Sequence, residues 1–168
     1  MNLTELQILL DYHYWAHDRL LDAAERVSIE KLTRPLGNSF PSIRDTLVHL
    51  YSADWVWCSR WEGESPTGML SPEDFPDVAA IRAAWTAHQP RVRSVVERLG
   101  EDGIQQPLAY HAMNGQLQAQ VFWHQCQHLV NHGSYHRGQV TTMLRQLGEE
   151  PPKSMDLIAF YRQRQSPV

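Results

Sequence analysis

The stretch His128-Leu-Val-Asn-His132-Gly-Ser-Tyr-His136-Arg-Gly-Gln139 decides how we interpret the fold of this chain. Its three histidines are spaced four residues apart, and residues with this spacing lie one above the other on the same face of an α-helix. Two imidazoles arranged in this way can chelate one divalent metal ion, whose third ligand then comes from another part of the fold. The stretch therefore predicts a long helix that carries two ligands of a metal site.

His124 extends this row of histidines by one more step of four residues. The row drifts about 40° around the helix axis at each step, so that one ion can take at most two neighbouring histidines. The alternative is a helix with several partly buried, hydrogen-bonded histidines. Gly133 and Gly138 favour a site at His132 and His136. Each glycine costs about 1 kcal/mol in a helix relative to alanine, which indicates that a backbone or ligand approaches closely there.

His49 is the best candidate for the third ligand. It lies on a separate amphipathic segment, and Ala53, one turn later, leaves space beside it. Asp45, one turn earlier, is placed to accept the other ring N–H of His49, although helix capping is the role that we favour for it. Three histidines with an open coordination position are typical of a catalytic metal site rather than a structural one.

Other residues of the kinds that bind metals are weaker candidates. His13 and His17 form a second pair four residues apart, either as a rival metal site or as polar residues that line the same cavity, and we favour the cavity. Cys58 and Cys126 lie too far along their helices from the histidines to complete the site, and they are interpreted as core residues. The sequence has no Walker loop, GxGxxG, GxSxG or HExxH motif, and it lacks the paired ExxH elements of a di-iron bundle.

Apolar residues recur at helical spacing in four long segments, which predicts an all-α four-helix bundle. Pro90 is expected to kink or break the third helix. Asn114-Gly115, before the fourth helix, predicts a small hairpin with short strands, and residues 155–163 predict a short C-terminal helix. The four long helices are expected at about Leu3 to Val27, Ser42 to Gly63, Asp74 or Asp77 to Leu99, and Leu117 to Leu147.

Composition narrows the possible functions. The chain has 168 residues, of which 42% are hydrophobic and 20% charged, and these values predict one globular domain over residues 1–168. The net charge is −4 and the basic residues are dispersed, which argues against nucleic-acid binding. The sequence has no apolar run of about 20 residues and no secretory signal, so we expect a cytoplasmic protein without a membrane partner.

Three segments resemble the DinB-like superfamily of damage-inducible proteins. Tyr12-His-Tyr-Trp-Ala-His-Asp-Arg-Leu-Leu21 is similar to the opening helix of that family. The segment Ser42-Ile-Arg-Asp-Thr-Leu-Val-His-Leu50, followed by Asp54 and Trp57, is similar to the second helix. Asn131-His-Gly-Ser-Tyr-His-Arg-Gly-Gln139, with the following Leu-Arg-Gln-Leu-Gly and Pro-Pro elements, is similar to the most specific stretch.

The resemblance implies a four-helix bundle with up-down-down-up topology and one divalent metal ion, usually zinc or nickel. The metal ligands carried over by motif are His49, His132 and His136, and homodimers are common in the family. His17 stands where an asparagine is frequent, so its role departs from the family pattern. His128 is frequent in the family but is not one of the ligands; we expect it to line the site with His13, His17 and Asp54.

Related branches of the superfamily transfer low-molecular-weight thiols such as bacillithiol or mycothiol, or isomerise maleylpyruvate with a thiol cofactor. The resemblance therefore implies a metal-dependent thiol transferase or detoxification enzyme with a small-molecule substrate. One alternative is a metal-dependent hydrolase, whose nearest carboxylate by sequence is Asp54, about 140° around the helix from His49. Another is a stress-response protein in which the metal is structural or a partner is bound.

Overall fold

A computed structural model describes residues 1–165 of the chain; the predicted domain also includes residues 166–168, which lie outside the described residues. The described part is mainly helical, with one two-stranded sheet. A 3-10 turn over Pro72–Asp74 precedes the fourth helix. The helices and strands are α1 Leu3–Ala24, α2 Ile29–Leu32, α3 Ile43–Trp61, α4 Val78–Gly103, β1 Pro107–His111, β2 Leu117–Val121, α5 Phe122–Gln146 and α6 Leu157–Gln165.

Side-chain caps define where the first two long helices begin. In α1, Asn2 Oδ1 accepts a hydrogen bond from the Glu5 backbone N–H at 2.8 Å, and the Glu5 carboxylate accepts one from the Asn2 N–H at 2.9 Å. In α3, Ser42 Oγ accepts from the Asp45 N–H at 3.2 Å and donates to the Asp45 carboxylate at 2.8 Å. The capping role of Asp45 is therefore confirmed, because the carboxylate faces the helix terminus.

The interruption of α4 lies near its end. Asp77 caps the helix by accepting from the Ala80 N–H, and the backbone stays helical through Pro90. The non-helical residue is Gly100, which has φ 61° and ψ −170°. The predicted break at Pro90 is therefore wrong. The helix is interrupted at Gly100 instead, because glycine adopts a positive φ at little steric cost whereas most residues do not.

The predicted hairpin exists, and it shortens the last long helix. Leu117–Val121 is strand β2, which pairs antiparallel with β1 across the turn at Gly115. The prediction that the helix starts at Leu117 is therefore wrong by five residues, because a partner strand satisfies the backbone groups of this segment. Helix α5 starts at Phe122, whose N–H donates to the Gln106 carbonyl at 3.0 Å.

Contacts near the helix ends establish the topology. Arg82, near the start of α4, pairs with Asp22 near the end of α1, so these helices run antiparallel. Trp61, at the end of α3, contacts Arg98 near the end of α4, and its indole N–H donates to Gln125 near the start of α5. Helix α3 is therefore parallel to α4 and antiparallel to α5. The up-down-down-up order is confirmed.

The four long helices share one apolar core that surrounds a small polar centre. Among the residues described, no helix is long and apolar enough to cross a membrane. His13, His17 and Asp54 are buried at the centre, with exposed fractions of 0%, 2% and 0%. The apolar core around them includes Leu6, Leu10, Leu20, Ile43, Leu47, Leu50, Ile81, Trp85, Val92, Phe122, Leu129 and Leu144.

Gly133 lets α1 approach α5 closely. A Cβ atom at this position would lie 2.8 Å from Arg137 Nη1 and 3.0 Å from His13 Cε1. At Gly138, by contrast, a Cβ atom would meet nothing within 4 Å. The close approach inferred from the two glycines is therefore confirmed at Gly133 and wrong at Gly138.

We expect Gly133→Ala to lower the free energy of unfolding by about 1–3 kcal/mol, because the methyl group forces His13 or Arg137 to move in a packed interior. Gly138→Ala is the matched control on the same helix, and it should raise stability by about 0.5–1 kcal/mol through helix propensity. Urea unfolding monitored by circular dichroism measures both. Equal effects of the two substitutions would contradict this account of the interface.

Candidate metal centre

The antiparallel packing of α3 and α5 brings three histidines together. His49 lies on α3, and His132 and His136 lie one turn apart on α5. The Nε2 atoms of His49 and His132 are 3.0 Å apart. One ring nitrogen from each of the three residues lies within 4.8 Å of the others. The structure thus joins the three residues that spacing and resemblance predicted as ligands.

The spacing of these nitrogens is compatible with metal binding. Imidazole nitrogens bind zinc at about 2.0–2.1 Å, which places two ligand atoms of a tetrahedral site about 3.4 Å apart. His49 and His132 are half-buried rather than enclosed, and His136 is 6% exposed. A site with this burial leaves one side open to a small molecule. Three neutral nitrogen donors suit zinc and nickel among the first-row metals.

Two contacts that orient the imidazoles lie outside the predicted site residues. His136 Nδ1 lies 2.7 Å from Gln139 Oε1, and the Gln139 amide donates in turn to Ser39 Oγ at 3.0 Å. Phe40 stacks on His49, with ring centroids 4.1 Å apart and 25° between the planes. The hydrogen bond keeps the proton of His136 on Nδ1, so that Nε2 is free to bind a metal.

Burial keeps the imidazoles neutral. Desolvation, with a smaller contribution from the neighbouring His136, lowers the pKa of His49 to about 4. The same two causes, with His49 and His128 adding to them, lower the pKa of His132 to about 3. Desolvation also lowers the pKa of His136, although the hydrogen bond that His136 donates to Gln139 opposes this. At neutral pH the three imidazoles are therefore neutral, as histidines that bind a metal ion must be.

His128 lies beside the triad but outside it. Its ring centroid is 6.0 Å from that of His132 and 5.4 Å from that of Trp57. Burial lowers the pKa of His128, and the positive charge of Arg60 adds to the effect. The prediction that His128 lines the site rather than joins the ligands agrees with this placement.

The second histidine pair forms a separate, closed cluster with Asp54. His13 Nε2 lies 2.9 Å from Asp54 Oδ1, and the Trp85 indole N–H donates to Asp54 Oδ2 at 2.5 Å. Ligand atoms of His13, His17 and Asp54 lie within 4.8 Å of one another, so the cluster meets the distance condition for a metal site. Since all three residues are enclosed, the cluster lacks the access that a substrate needs. Desolvation lowers the pKa of His17 well below its ordinary value, so this imidazole is neutral.

Comparison with known proteins identifies the family. The sequence model of the DinB family matches residues 1–165. The chain belongs to the DinB family. It is 26% identical over 147 residues to Protein DinB of Bacillus subtilis (strain 168), and this match covers 83% of the chain and 84% of that protein. A solved DinB-like protein from Bacillus cereus ATCC 10987 has a TM-score of 0.65 and 15% identity, covers 87% of this chain and 95% of its own, and shares the fold.

Membership in the DinB family and the histidine cluster are together compatible with metal binding. The spacing of the histidines was enough to select His132 and His136. The orienting role of Gln139 had a signal in the sequence, since it lies three residues after His136 on the same helix face. The contacts of Phe40 and Ser39 had none, because these residues precede α3 in a segment without a periodic pattern.

The lowered pKa values predict how stability depends on pH. On unfolding, His49 and His132 regain the ordinary imidazole pKa of about 6.5 and bind protons below it. Their contribution to stability is complete above about pH 6.5 and is lost as pH falls towards their folded pKa values of about 4 and 3. The unfolding free energy of the metal-free protein should therefore fall between pH 7 and pH 5.

The matched test compares two double variants by urea unfolding at several pH values. His49→Gln/His132→Gln should show a shallower fall than the wild-type chain. His111→Gln/His124→Gln removes two exposed histidines and should leave the fall unchanged. If the His49→Gln/His132→Gln variant loses stability with pH as steeply as the wild type, the burial argument is wrong.

Removing the support of His136 should weaken metal binding without unfolding the protein. Gln139→Leu eliminates the acceptor for the His136 Nδ1 proton, and loss of such a partner reduces metal affinity by about 10- to 100-fold. Gln146→Leu is the control, because Gln146 is exposed on the same helix. Zinc titration against a chromogenic chelator measures both affinities, and equal affinities in the two variants would remove Gln139 from the site.

Proposed function

We propose that this DinB-family protein is a metal-dependent enzyme of the thiol-transferase type that acts in detoxification. His49, His132 and His136 hold one divalent ion, with zinc or nickel as the metal, and a low-molecular-weight thiol is the co-substrate. The observation that carries the proposal is the convergence of three neutral imidazoles at a place that is only partly buried. A structural zinc site closes its coordination with a fourth protein ligand, whereas this cluster offers three.

A divalent ion at this position lowers the pKa of a bound thiol, so that a thiolate is available at neutral pH. The protein side chains determine where the thiol can bind. Phe40 covers one face of His49. A cavity lined by Trp57 and His128 adjoins the triad, because His128 neighbours His132. We expect the electrophile that accepts the thiol to approach from this cavity.

Two features oppose the hydrolase alternative. Activation of a water molecule requires a general base near the triad. Both oxygens of Asp54 already accept hydrogen bonds, from His13 and Trp85, and the residue is 0% exposed. The cysteines are also poor nucleophiles for a covalent mechanism, because burial raises the pKa of both Cys58 and Cys126.

The first experiment measures metal content. Protein expressed without a histidine tag should contain about one zinc or nickel ion per chain, and a His132→Ala/His136→Ala variant should contain none. A His111→Ala/His124→Ala variant controls for the removal of two exposed histidines and should keep its metal. Absence of metal from the wild-type protein, even after incubation with zinc and nickel, would contradict the proposal.

The second experiment separates the possible functions. After cobalt substitution, a small thiol at millimolar concentration should change the visible absorption spectrum, because thiolate sulfur enters the coordination shell. An unchanged spectrum would contradict the transferase proposal. Chelator-sensitive turnover of simple esters or amides would instead support a hydrolase. A large fall in melting temperature on chelation, together with an unchanged cobalt spectrum, would support a structural metal.

A further inference from the structure

An aromatic pocket lies one helical turn from the triad, where α3, α5 and the hairpin meet. Its volume is about 280 Å³. The Trp57 ring contacts Tyr110 at a centroid distance of 5.0 Å and His128 at 5.4 Å. Since His128 also neighbours His132, the pocket adjoins the proposed metal centre. The pocket is lined by Trp57, Tyr110, Gln120, His124, Gln125 and His128.

Arg60 lies beside this pocket, with its positive charge stacked against two of the rings that line it. Its side chain is 8% exposed, and its guanidinium carbon lies 4.7 Å from the Trp57 ring centroid and 4.8 Å from that of Tyr110. Within residues 1–165, Arg60 forms no ion pair, and its buried Nε has no hydrogen-bond partner. Burying a cation without a counter-ion is costly, and stacking on two rings offsets only part of that cost.

Three other arginines show the more usual arrangement, in which a carboxylate balances the charge. Arg82 pairs with three carboxylates, Arg91 with Glu62, and Arg93 with Asp11. For Arg60, burial lowers the pKa of the guanidinium, and the ionisable neighbour that opposes this is the phenol of Tyr110 rather than a carboxylate. The charge of Arg60 therefore lies next to the pocket, and no carboxylate of residues 1–165 pairs with it.

His49 of the triad and Arg60 lie on the same face of α3. His49, Ala53, Trp57 and Arg60 are spaced by four, four and three residues, so they follow one face of α3. The facing side of α5 carries the row of histidines in the opposite direction. Arg60 is 11 residues from His49 in the sequence, which corresponds to about 16 Å along the helix axis. Between His49 and Trp57 this face carries only the small side chain of Ala53.

We propose that Arg60, Trp57 and Tyr110 form a recognition site for a carboxylate group on the substrate or co-substrate. The guanidinium binds the carboxylate, and the apolar part of the ligand lies against Trp57, Tyr110 and His128. The ligand is thus an elongated molecule with an acidic end at Arg60 and a reactive end at the triad. Only the placement of the reactive end rests on the proposed function.

The test uses two small probes that differ in charge. 3-Phenylpropionate and its neutral amide have the same apolar group, and their affinities are measured by isothermal titration calorimetry. The protein is used as purified and again after chelation, because a carboxylate can also bind a metal ion. In both states, the acid should bind the wild-type protein about ten times more tightly than the amide, the scale expected for one charge-assisted contact.

Arg60→Gln should abolish this preference for the acid, and Arg60→Lys should retain part of it. Arg19→Gln is the matched control. The Arg19 guanidinium also lies over a tryptophan ring, 4.0 Å from the Trp15 centroid, but it hydrogen-bonds to Ser154 and Gln163. This variant should keep the preference of the wild-type protein. Metal content is measured in the same samples, so that a lost carboxylate preference with retained metal is distinguished from failure of the metal centre.

Several outcomes would overturn the proposal. They are equal affinity of acid and amide for the wild-type protein, no binding of either at millimolar concentration, and a preference that survives Arg60→Gln. If Arg60→Gln does not fold, the test moves to the wild-type chain with isotope-labelled histidine. The acid should then shift the imidazole signals of His128 more than the amide does and leave those of exposed His111 unchanged. The proposal would also be refuted if the amide shifted the His128 signals as much as the acid does, or if the acid shifted those of His111 more than those of His128.

Discussion

The carboxyl group of Asp54 joins three of the four long helices at the centre of the bundle. It belongs to α3, and its two oxygens contact His13 of α1 and Trp85 of α4. His13 in turn packs against Gly133 of α5. Removing one partner of a buried, hydrogen-bonded ion pair costs about 3–5 kcal/mol. This small network therefore holds all four helices in one relative register.

The register of α3 and α5 determines whether the three histidines of the candidate metal centre meet. His49 lies five residues before Asp54, and His132 lies next to Gly133. A change of one residue in either helix would rotate its histidine about 100° around the axis, away from the other helix. The two clusters therefore differ in role. The buried cluster at Asp54 fixes the helices relative to one another, and the partly buried triad presents its imidazole nitrogens at the edge of the core.

The same burial that positions the triad also prepares its chemistry. Desolvation keeps each imidazole in its neutral form, and the Gln139 side chain selects the tautomer of His136. Arg60, on the same face of α3, is also buried, but its guanidinium lacks a counter-ion in the described part of the chain. One helix face therefore carries a neutral donor, His49, and an uncompensated cation, Arg60.

The sequence by itself determined the features that depend on residues a few positions apart. Helix caps at Asn2 and Ser42, the hairpin turn at Gly115 and the pairing of His132 with His136 all follow from local spacing. His49 followed from its place on a separate amphipathic segment, and the resemblance to the DinB-like superfamily agreed with it. The tertiary structure decided the rest. It placed the start of α5 at Phe122 and the contacts of Asp54, Gln139 and Arg60, because these depend on which helix faces meet and on what each buried polar group finds there.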